Sequence, residues 1–494
     1  MQSVSPAPLL CVAVLAPVIT VFMLLVAKVM RNASLATTLF WSGLAAQLVV
    51  SVLVALRVFS GEVLVYAFGG WPPPAGVVLV ANRVAGAFLL VGTAVIFTCA
   101  VALKWFLRGS GADLVAAYAF MLLFASGYAG VVLTTDLFNV YVMMELLCVS
   151  SYALISLRRG RAVAAALKYA VFGGLAGLML ALSAGVVYGL SGSMYFGDVS
   201  LAGVAGLGVA GGVATLMTVW SLSFFSALFP NHFWLPDAHS EAVPPFSAIL
   251  SGVSVLTGFY VLVRLSAVGL SPMGFVAPLI QVLAQVGALY AAVAMLVQRD
   301  VKRMLAYSTV LNTAYLFMGL TAGVGGVSAA LLHALTHALG KALAFLSIGM
   351  LVKWVGSRDI YVLEGMGRAV PSVLIPLTAS ILNLVGVPPF PGFISKVTLY
   401  GALMTHGSLP SALVLVLTSG IAALSYVRLL EHLWHSPVKR VGVFKLPLTV
   451  SFAIYGLMAA MILLSIVCTP LVRIFSDALN VQHNIYSLTE LVMP

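Results

Sequence analysis

Residues 224–239 read FFSALFPNHFWLPDAH, and residues 383–396 read NLVGVPPFPGFISK. Each is an apolar stretch interrupted by proline: Pro230 and Pro236 in the first, Pro388, Pro389 and Pro391 with Gly392 in the second. A helix broken inside a hydrocarbon layer frees backbone groups that only a polar cavity or a neighbouring side chain can satisfy. Both breaks stand beside titratable residues, with His232, Asp237, His239 and Glu241 after the first and Lys396 after the second. They lie about 160 residues apart. Matched breaks of this kind point to a membrane transporter built from two inverted repeats, with an ion site near the membrane midplane.

The rest of the chain fits that setting. Of 494 residues, 62% are hydrophobic and only 7% charged, and the mean hydropathy is +1.14, whereas soluble domains carry about a quarter charged residues. Apolar runs long enough to cross a hydrocarbon core of about 30 Å recur from end to end. Fourteen are predicted, near 8–28, 37–58, 78–104, 113–134, 137–157, 164–191, 203–229, 245–267, 273–297, 303–322, 328–352, 371–404, 411–430 and 449–473. The first lacks a positively charged start and reads as a retained helix, not a cleaved signal. The expected fold is an all-α integral membrane protein of about fourteen transmembrane helices, with inverted five-helix repeats in helices 4–8 and 9–13 and breaks in helices 7 and 12. No linker divides the chain. A single polytopic domain is expected, with three leading helices in 1–110, the repeats in 111–268 and 269–435, and a last helix in 436–494.

The net charge of +11 is placed in a way that argues for membrane orientation and against nucleic acid. Eighteen of the 24 Lys and Arg residues stand beside odd-numbered connections, among them Lys28, Lys104, Arg108, Arg158, Arg161, Lys302, Lys353, Arg358, Lys439, Arg440 and Lys445. By the positive-inside rule those connections are cytoplasmic, so both termini are expected outside a cell membrane. The four cysteines each lie alone in a different helix, which suggests neither a disulfide framework nor a metal site.

An ionisable side chain inside a bilayer costs at least about 2.5 kcal/mol and calls for a local reason. Glu145 lies near the middle of helix 5 with no basic residue within a helical turn, which suits a carboxyl that picks up and releases protons. Lys168, at the start of helix 6, is its nearest candidate partner in sequence. Asp136 lies nine residues earlier, toward the outer interface. His333, His337 and Lys341 recur at i, i+4 and i+8, so they share one helix face at about 6 Å of rise per step, the spacing of a proton relay. HALTH lacks the glutamate of a zinc-protease HExxH motif. Lys396 reads as a proton carrier behind the second break, while Asp136, His232, Asp237 and His239 are candidates for an entry path.

Six stretches carry a family resemblance: YAFGGWPPPAGVVL at 66–79, TDLFNVYVMMELL at 135–147, FPNHFWLPDAHSEAVPPFSAILSG at 229–252, QRDVKRMLAYSTV at 298–310, HALTHALGKALAF at 333–345 and GVPPFPGFISK at 386–396. Together they resemble the antiporter-like subunits shared by Mrp-type sodium/proton antiporters, energy-converting membrane-bound hydrogenases and respiratory complex I. The resemblance implies a proton route through Glu145, the His333–His337–Lys341 relay and Lys396, partner membrane subunits, and no cofactor in this chain. It also implies two lysines that are missing: Phe225 and Leu256 stand where the family usually places them. Without those ammoniums the first half-channel is expected to be degenerate or redirected. Outside this family, the chain would read as a stand-alone transporter of an organic solute; inside it, a spacer that has stopped pumping is the other alternative.

Overall fold

The computed structural model describes residues 3–108, 113–266, 274, 276–435, 444 and 446–480. Lys439, Arg440 and Lys445, counted above among the basic connections, lie outside the described residues.

Seventeen helices follow one another: α1 (Leu9–Val29), α2 (Ala33–Phe59), α3 (Arg83–Leu107), α4 (Leu114–Leu133), α5 (Leu137–Ser156), α6 (Arg161–Ser191), the short α7 (Leu201–Ala205), α8 (Gly208–Phe225), α9 (Leu235–Glu241), α10 (Pro244–Ser266), α11 (Val276–Val297), α12 (Val301–Leu320), α13 (Gly323–Val355), α14 (Pro371–Val385), α15 (Pro391–Thr405), α16 (Leu409–Trp434) and α17 (Leu448–Asn480). Among the described residues, twelve are long and apolar enough to cross a membrane. The expected tenth and twelfth spans fall outside that dozen. One is α12, whose apolar character is diluted by Lys302, Arg303 and a polar stripe; the other is split into α14 and α15.

Helix starts are set by short polar caps. Asn32, Asn82, Asp113, Asp136 and Asp300 each accept hydrogen bonds from backbone N–H groups of the turn that follows, satisfying donors that a first turn leaves orphaned. Asp136 caps α5, 2.7 Å from the Asn139 N–H. Asn82 also corrects a boundary. The run 78–104 is not one helix, because Val78–Ala81 is a strand, β3, paired antiparallel with β2 (Glu62–Ala67), which pairs in parallel with β1 (Ser3–Pro6). This three-stranded sheet is an addition to the all-α expectation; Gly69 and Gly70, both at positive φ, turn the chain between β2 and β3.

The ends bearing the basic connections meet. Lys28 pairs with Asp113, Lys353 donates to the Trp105, Phe106 and Arg108 carbonyls, Arg358 pairs with Asp300, and Arg428 donates to the Leu296 and Gln298 carbonyls. Odd-numbered connections thus share one end of the bundle, as the alternating charge pattern requires.

Three helices form the interior, α10, α12 and α13. α10 is buried along its whole length and α13 nearly so, with α13 packed against α3, α10, α12, α14, α15 and α17. In contrast, α1, α6 and α11 expose apolar side chains such as Phe22, Leu178 and Val282, the side chains a bilayer or a partner subunit covers. Along α10 the backbone widens into a single π-helical turn at Leu250–Ser254, a feature that often marks functional sites. Gly252 in that turn lies against Ala338, next to His337 on α13.

Candidate functional site

The second break is tied by its own side chains. Gly386, at φ 88°, ends α14, so the Leu384 and Val385 carbonyls have no next turn to bond. Lys396, on α15, donates to both, at 2.9 and 3.0 Å. Asn383 locks the joint: its Oδ1 accepts from the Gly392 N–H at 2.8 Å and its Nδ2 donates to the Thr336 carbonyl at 3.1 Å. A Cβ on Gly392 would fall 1.8 Å from the Asn383 carbonyl oxygen, so this approach needs glycine. The Lys396 ammonium also lies 5.7 Å from the centre of the Tyr315 ring, a cation–π arrangement.

From this joint a hydrogen-bonded chain runs inward. His333 Nδ1 lies 3.0 Å from Ser395 Oγ, the residue before Lys396, and Nε2 lies 3.1 Å from Asn312 Oδ1. Asn312 Nδ2 donates to the Ser308 carbonyl at 2.6 Å, which fixes its Oδ1 as the acceptor for His333. Nε2 therefore carries a hydrogen, and Nδ1 is the position that titrates. When Nδ1 is bare, Ser395 donates to it; when it is protonated, Ser395 accepts from it and donates to the Gly392 carbonyl 3.0 Å away. Ser308 continues the chain by bonding both Lys341 Nζ and the Tyr426 hydroxyl. Lys341 also donates to the Leu305 carbonyl at 2.8 Å. Each of Asn312, His333 and Lys341 is at most 2% exposed.

The route from His333 to Lys341 thus crosses onto α12 and bypasses His337. A four-residue step turns a helix by about 400°, so each member of the stripe drifts about 40° around α13 and His333 and Lys341 end about 80° apart. His337 sits between them, within electrostatic reach of His333, Lys341 and His239. Among the described residues neither of its ring nitrogens has a hydrogen-bond partner.

His239 was expected near an entry path and lies instead in the core, fully buried and stacked on Phe345 with ring centres 5.0 Å apart. Its ring nitrogens are also without a partner among the described residues, and Lys302 and Lys341 both bear on it electrostatically. Lys302, 1% exposed, donates to the Ser240 and Ala242 carbonyls at 3.1 and 2.6 Å. Lys302 thus caps carbonyls at the junction of α9 and α10, as Lys396 caps those at the end of α14.

The first half is organised differently. Glu145 has no hydrogen-bond or ion-pair partner among the described residues, and its Oε1 occupies the space that a Cβ on Gly177 would take, 1.8 Å away. Lys168 does not reach it. Lys168 pairs with Asp237 at 2.8 Å, and Arg303 holds the other Asp237 oxygen at 2.7 Å. The expected Glu145–Lys168 pairing is thus corrected, and Asp237 is a doubly paired, partly exposed carboxylate. Phe225 and Leu256 are 2% and 3% exposed. Phe225 is edge-on to its chain neighbour Phe224, which in turn packs against Trp234 of the Tyr169–Trp234 stack, so a buried apolar side chain stands where the resemblance places an ammonium. His232 joins Phe229 and Tyr290 in a separate aromatic cluster. Pro230 falls between α8 and α9, and Pro388 and Pro389 between α14 and α15.

Sequence reasoning missed Lys302, which was counted only as a loop cation, and missed Ser308, Asn312, Ser395 and Asn383. The signal for α12 was present: Ser308, Thr309, Asn312 and Thr313 recur at helical spacing on one face of an otherwise apolar run. Among the described residues no group of three or more His, Cys, Asp or Glu could hold a metal ion.

Comparison with known proteins extends this picture. Residues 134–423 match the family described as NADH:quinone oxidoreductase/Mrp antiporter, TM. NADH-quinone oxidoreductase subunit N of Desulforudis audaxviator is 33% identical over 392 residues, 77% of each chain. A Staphylococcus saprophyticus protein described as an antiporter subunit, mnhD2, is 27% identical over 89% of each chain. Among solved structures, a chain of the archaeal membrane-bound sulfane sulfur reductase superposes with a TM-score of 0.89 at 26% identity, covering 98% of this chain and 100% of that one. A chain of the Mrp complex from Dietzia sp. superposes with a TM-score of 0.87 at 23% identity and the same coverage.

Proposed function

The chain belongs to the NADH:quinone oxidoreductase/Mrp antiporter transmembrane family, and on that footing we propose that it is a proton-translocating membrane subunit of a larger ion-pumping complex. The observation that carries this reading is the buried chain Ser395–His333–Asn312–Ser308–Lys341. It leads from Ser395, the residue next to Lys396, to Lys341 through buried polar groups, in a setting where each charge has a cost.

In this reading a proton reaches Lys396 at the second break, passes to His333 by way of Ser395, and charges Lys341. His337 and His239, each within electrostatic reach of Lys341, carry the path on toward Lys302 at the basic end of the bundle. The first half does not conduct through Glu145, because no ammonium faces it and buried Phe225 and Leu256 stand where ammoniums are usual. Helices α4–α10 and α11–α16 form the two inverted repeats, giving fourteen spans in one polytopic domain, with the basic end in the cytoplasm and both termini outside. The relatives named above are subunits of an NADH-quinone oxidoreductase, an Mrp complex and a sulfane sulfur reductase; by analogy the driving reaction, or the exchanged sodium ion, belongs to partner chains.

The test is proton uptake into proteoliposomes containing the purified complex, with the co-purifying chains identified. Lys341→Ala in an intact assembly is expected to lower coupled uptake at least about tenfold, since a relay gap of one group removes a whole transfer step. Unchanged uptake would favour a spacer role and defeat the reading.

A further inference from the structure

The basic end of the bundle holds two adjoining cavities, the first of which has Lys302 among its walls. One, of about 480 Å³, is walled by Arg108, Arg158, Arg161, Lys302, Lys353 and Arg358 and has no acidic side chain among its lining residues. Arg358 is committed to Glu241 and Asp300 behind the wall, Lys302 and Lys353 cap backbone carbonyls, and Arg158 reaches the Glu241 carbonyl at 3.5 Å. The Arg108 and Arg161 side chains have no hydrogen-bond or ion-pair partner among the described residues. Six cations around one cavity repel one another, and two unpaired guanidinium forks are suited to bidentate capture of a phosphate.

The second cavity, of about 860 Å³, is a predominantly apolar groove between α2, α3 and α17 lined by Trp41, Phe97, Trp105 and Phe452, with Lys104 at one end. Arg108 lines both. The ridge between them is the turn Trp105–Arg108, whose carbonyls are held by Lys353, with the Lys353 ammonium 5.2 Å from the centre of the Trp105 ring. An apolar groove that runs past a shared arginine into a cationic cavity matches a molecule with a hydrocarbon tail and an anionic head.

We propose that this pair of cavities is a binding site for an anionic phospholipid, its phosphate held by Arg108 and Arg161 and an acyl chain lying in the groove. Basic pockets between membrane helices at a cytoplasmic face are a physically favourable place for such headgroups. Lys302 is shared with the proposed proton route, whereas Arg108, Arg161 and the groove are not part of it, and lipid retention is read without any transport assay.

The test uses the full-length chain purified with its partner subunits, equilibrated in phosphatidylcholine containing phosphatidylglycerol, washed in detergent and analysed for retained lipid by native mass spectrometry. Wild type is expected to retain phosphatidylglycerol over phosphatidylcholine. Arg108→Gln combined with Arg161→Gln is expected to lower that retention about tenfold, as two basic contacts are lost. Gly456→Phe fills the groove from a position where an added Cβ meets nothing within 4 Å, and is expected to lower retention without unfolding the chain. Arg299→Gln, a cation elsewhere at the same end, is expected to leave it unchanged. Equal retention of the two lipids, or no loss in either cavity variant, would overturn the proposal. So would displacement by inorganic phosphate with no effect of Gly456→Phe, which would indicate a free-anion site, or an acidic segment of a partner chain filling the cationic cavity.

Discussion

Asn312 illustrates how much of the site depends on one uncharged side chain. Its amide is oriented by the Ser308 carbonyl, and that orientation decides which His333 nitrogen carries a fixed hydrogen and which one titrates. Replacing it with leucine keeps the volume near constant but leaves His333 Nε2 without its acceptor, at a cost of about 1–3 kcal/mol for a buried donor. Asn312→Leu is therefore expected to reduce proton uptake strongly while the complex still assembles, and Asn312→Asp to perturb the pH profile of uptake, because a carboxylate there would favour a charged His333 ring; proteoliposome assays across pH would read both. At Gly392 the effect is steric. A Cβ 1.8 Å from the Asn383 carbonyl forces the joint apart, so Gly392→Ala is expected to lose about 2–4 kcal/mol of stability and to appear as poor assembly before any change in transport. His333 and Lys341 were legible in the sequence because each is an isolated charge in an apolar run. Asn312 was not, since its role depends on facing a ring 21 residues away, and neither periodicity nor composition encodes which helices become neighbours.

At the scale of the element, a broken helix is a structural cost that the chain converts into a charged site. The second break frees the Leu384 and Val385 carbonyls, and Lys396 both satisfies them and becomes fixed by them. A lysine in this place has two separable roles, as a multiple donor and as a group able to lose its proton. Lys396→Met removes both and is expected to lower thermal stability by about 1–3 kcal/mol, the cost of unpaired buried carbonyls, together with uptake. Lys396→Arg restores a donor that cannot deprotonate, so it is expected to recover most of the melting temperature and little of the transport; full recovery of both would make the residue purely structural. The breaks themselves were visible as proline clusters in hydrophobic runs. The partner of Lys168 was not, and depth explains why. Lys168 lies seven residues into α6 from the basic end, about 10 Å, whereas Glu145 lies eleven residues from the basic end of α5, about 17 Å. Asp237, 69 residues away in sequence, is at the right level. The β2–β3 hairpin escaped for a related reason: Val78–Ala81 is as apolar as the helix it precedes, and only the Asn82 cap separates them.

For the whole molecule, the asymmetry between halves is the strongest mechanistic constraint. The second half strings lysine, histidine, serine and asparagine into one hydrogen-bonded chain, while the first half buries phenylalanine and leucine where ammoniums are usual and commits Lys168 and Arg303 to Asp237. Glu145 is left beside Gly177, and within electrostatic reach of Cys148, Tyr152 and Tyr169 it meets no cation. A carboxyl with no cation beside it has no charged partner to drive along the axis. Glu145→Gln removes the carboxyl's acidity at nearly the same volume. It is expected to leave uptake within about twofold of wild type, while Lys341→Ala lowers it at least about tenfold. The two substitutions made together should then resemble Lys341→Ala alone, since independent sites add and a silent site adds nothing. If Glu145→Gln instead matched the loss caused by Lys341→Ala, the first half would have to conduct by a route that uses no lysine, and the hydroxyl-rich π-helical turn at Leu250–Ser254, packed against α13 beside His337, would be the place to look for it.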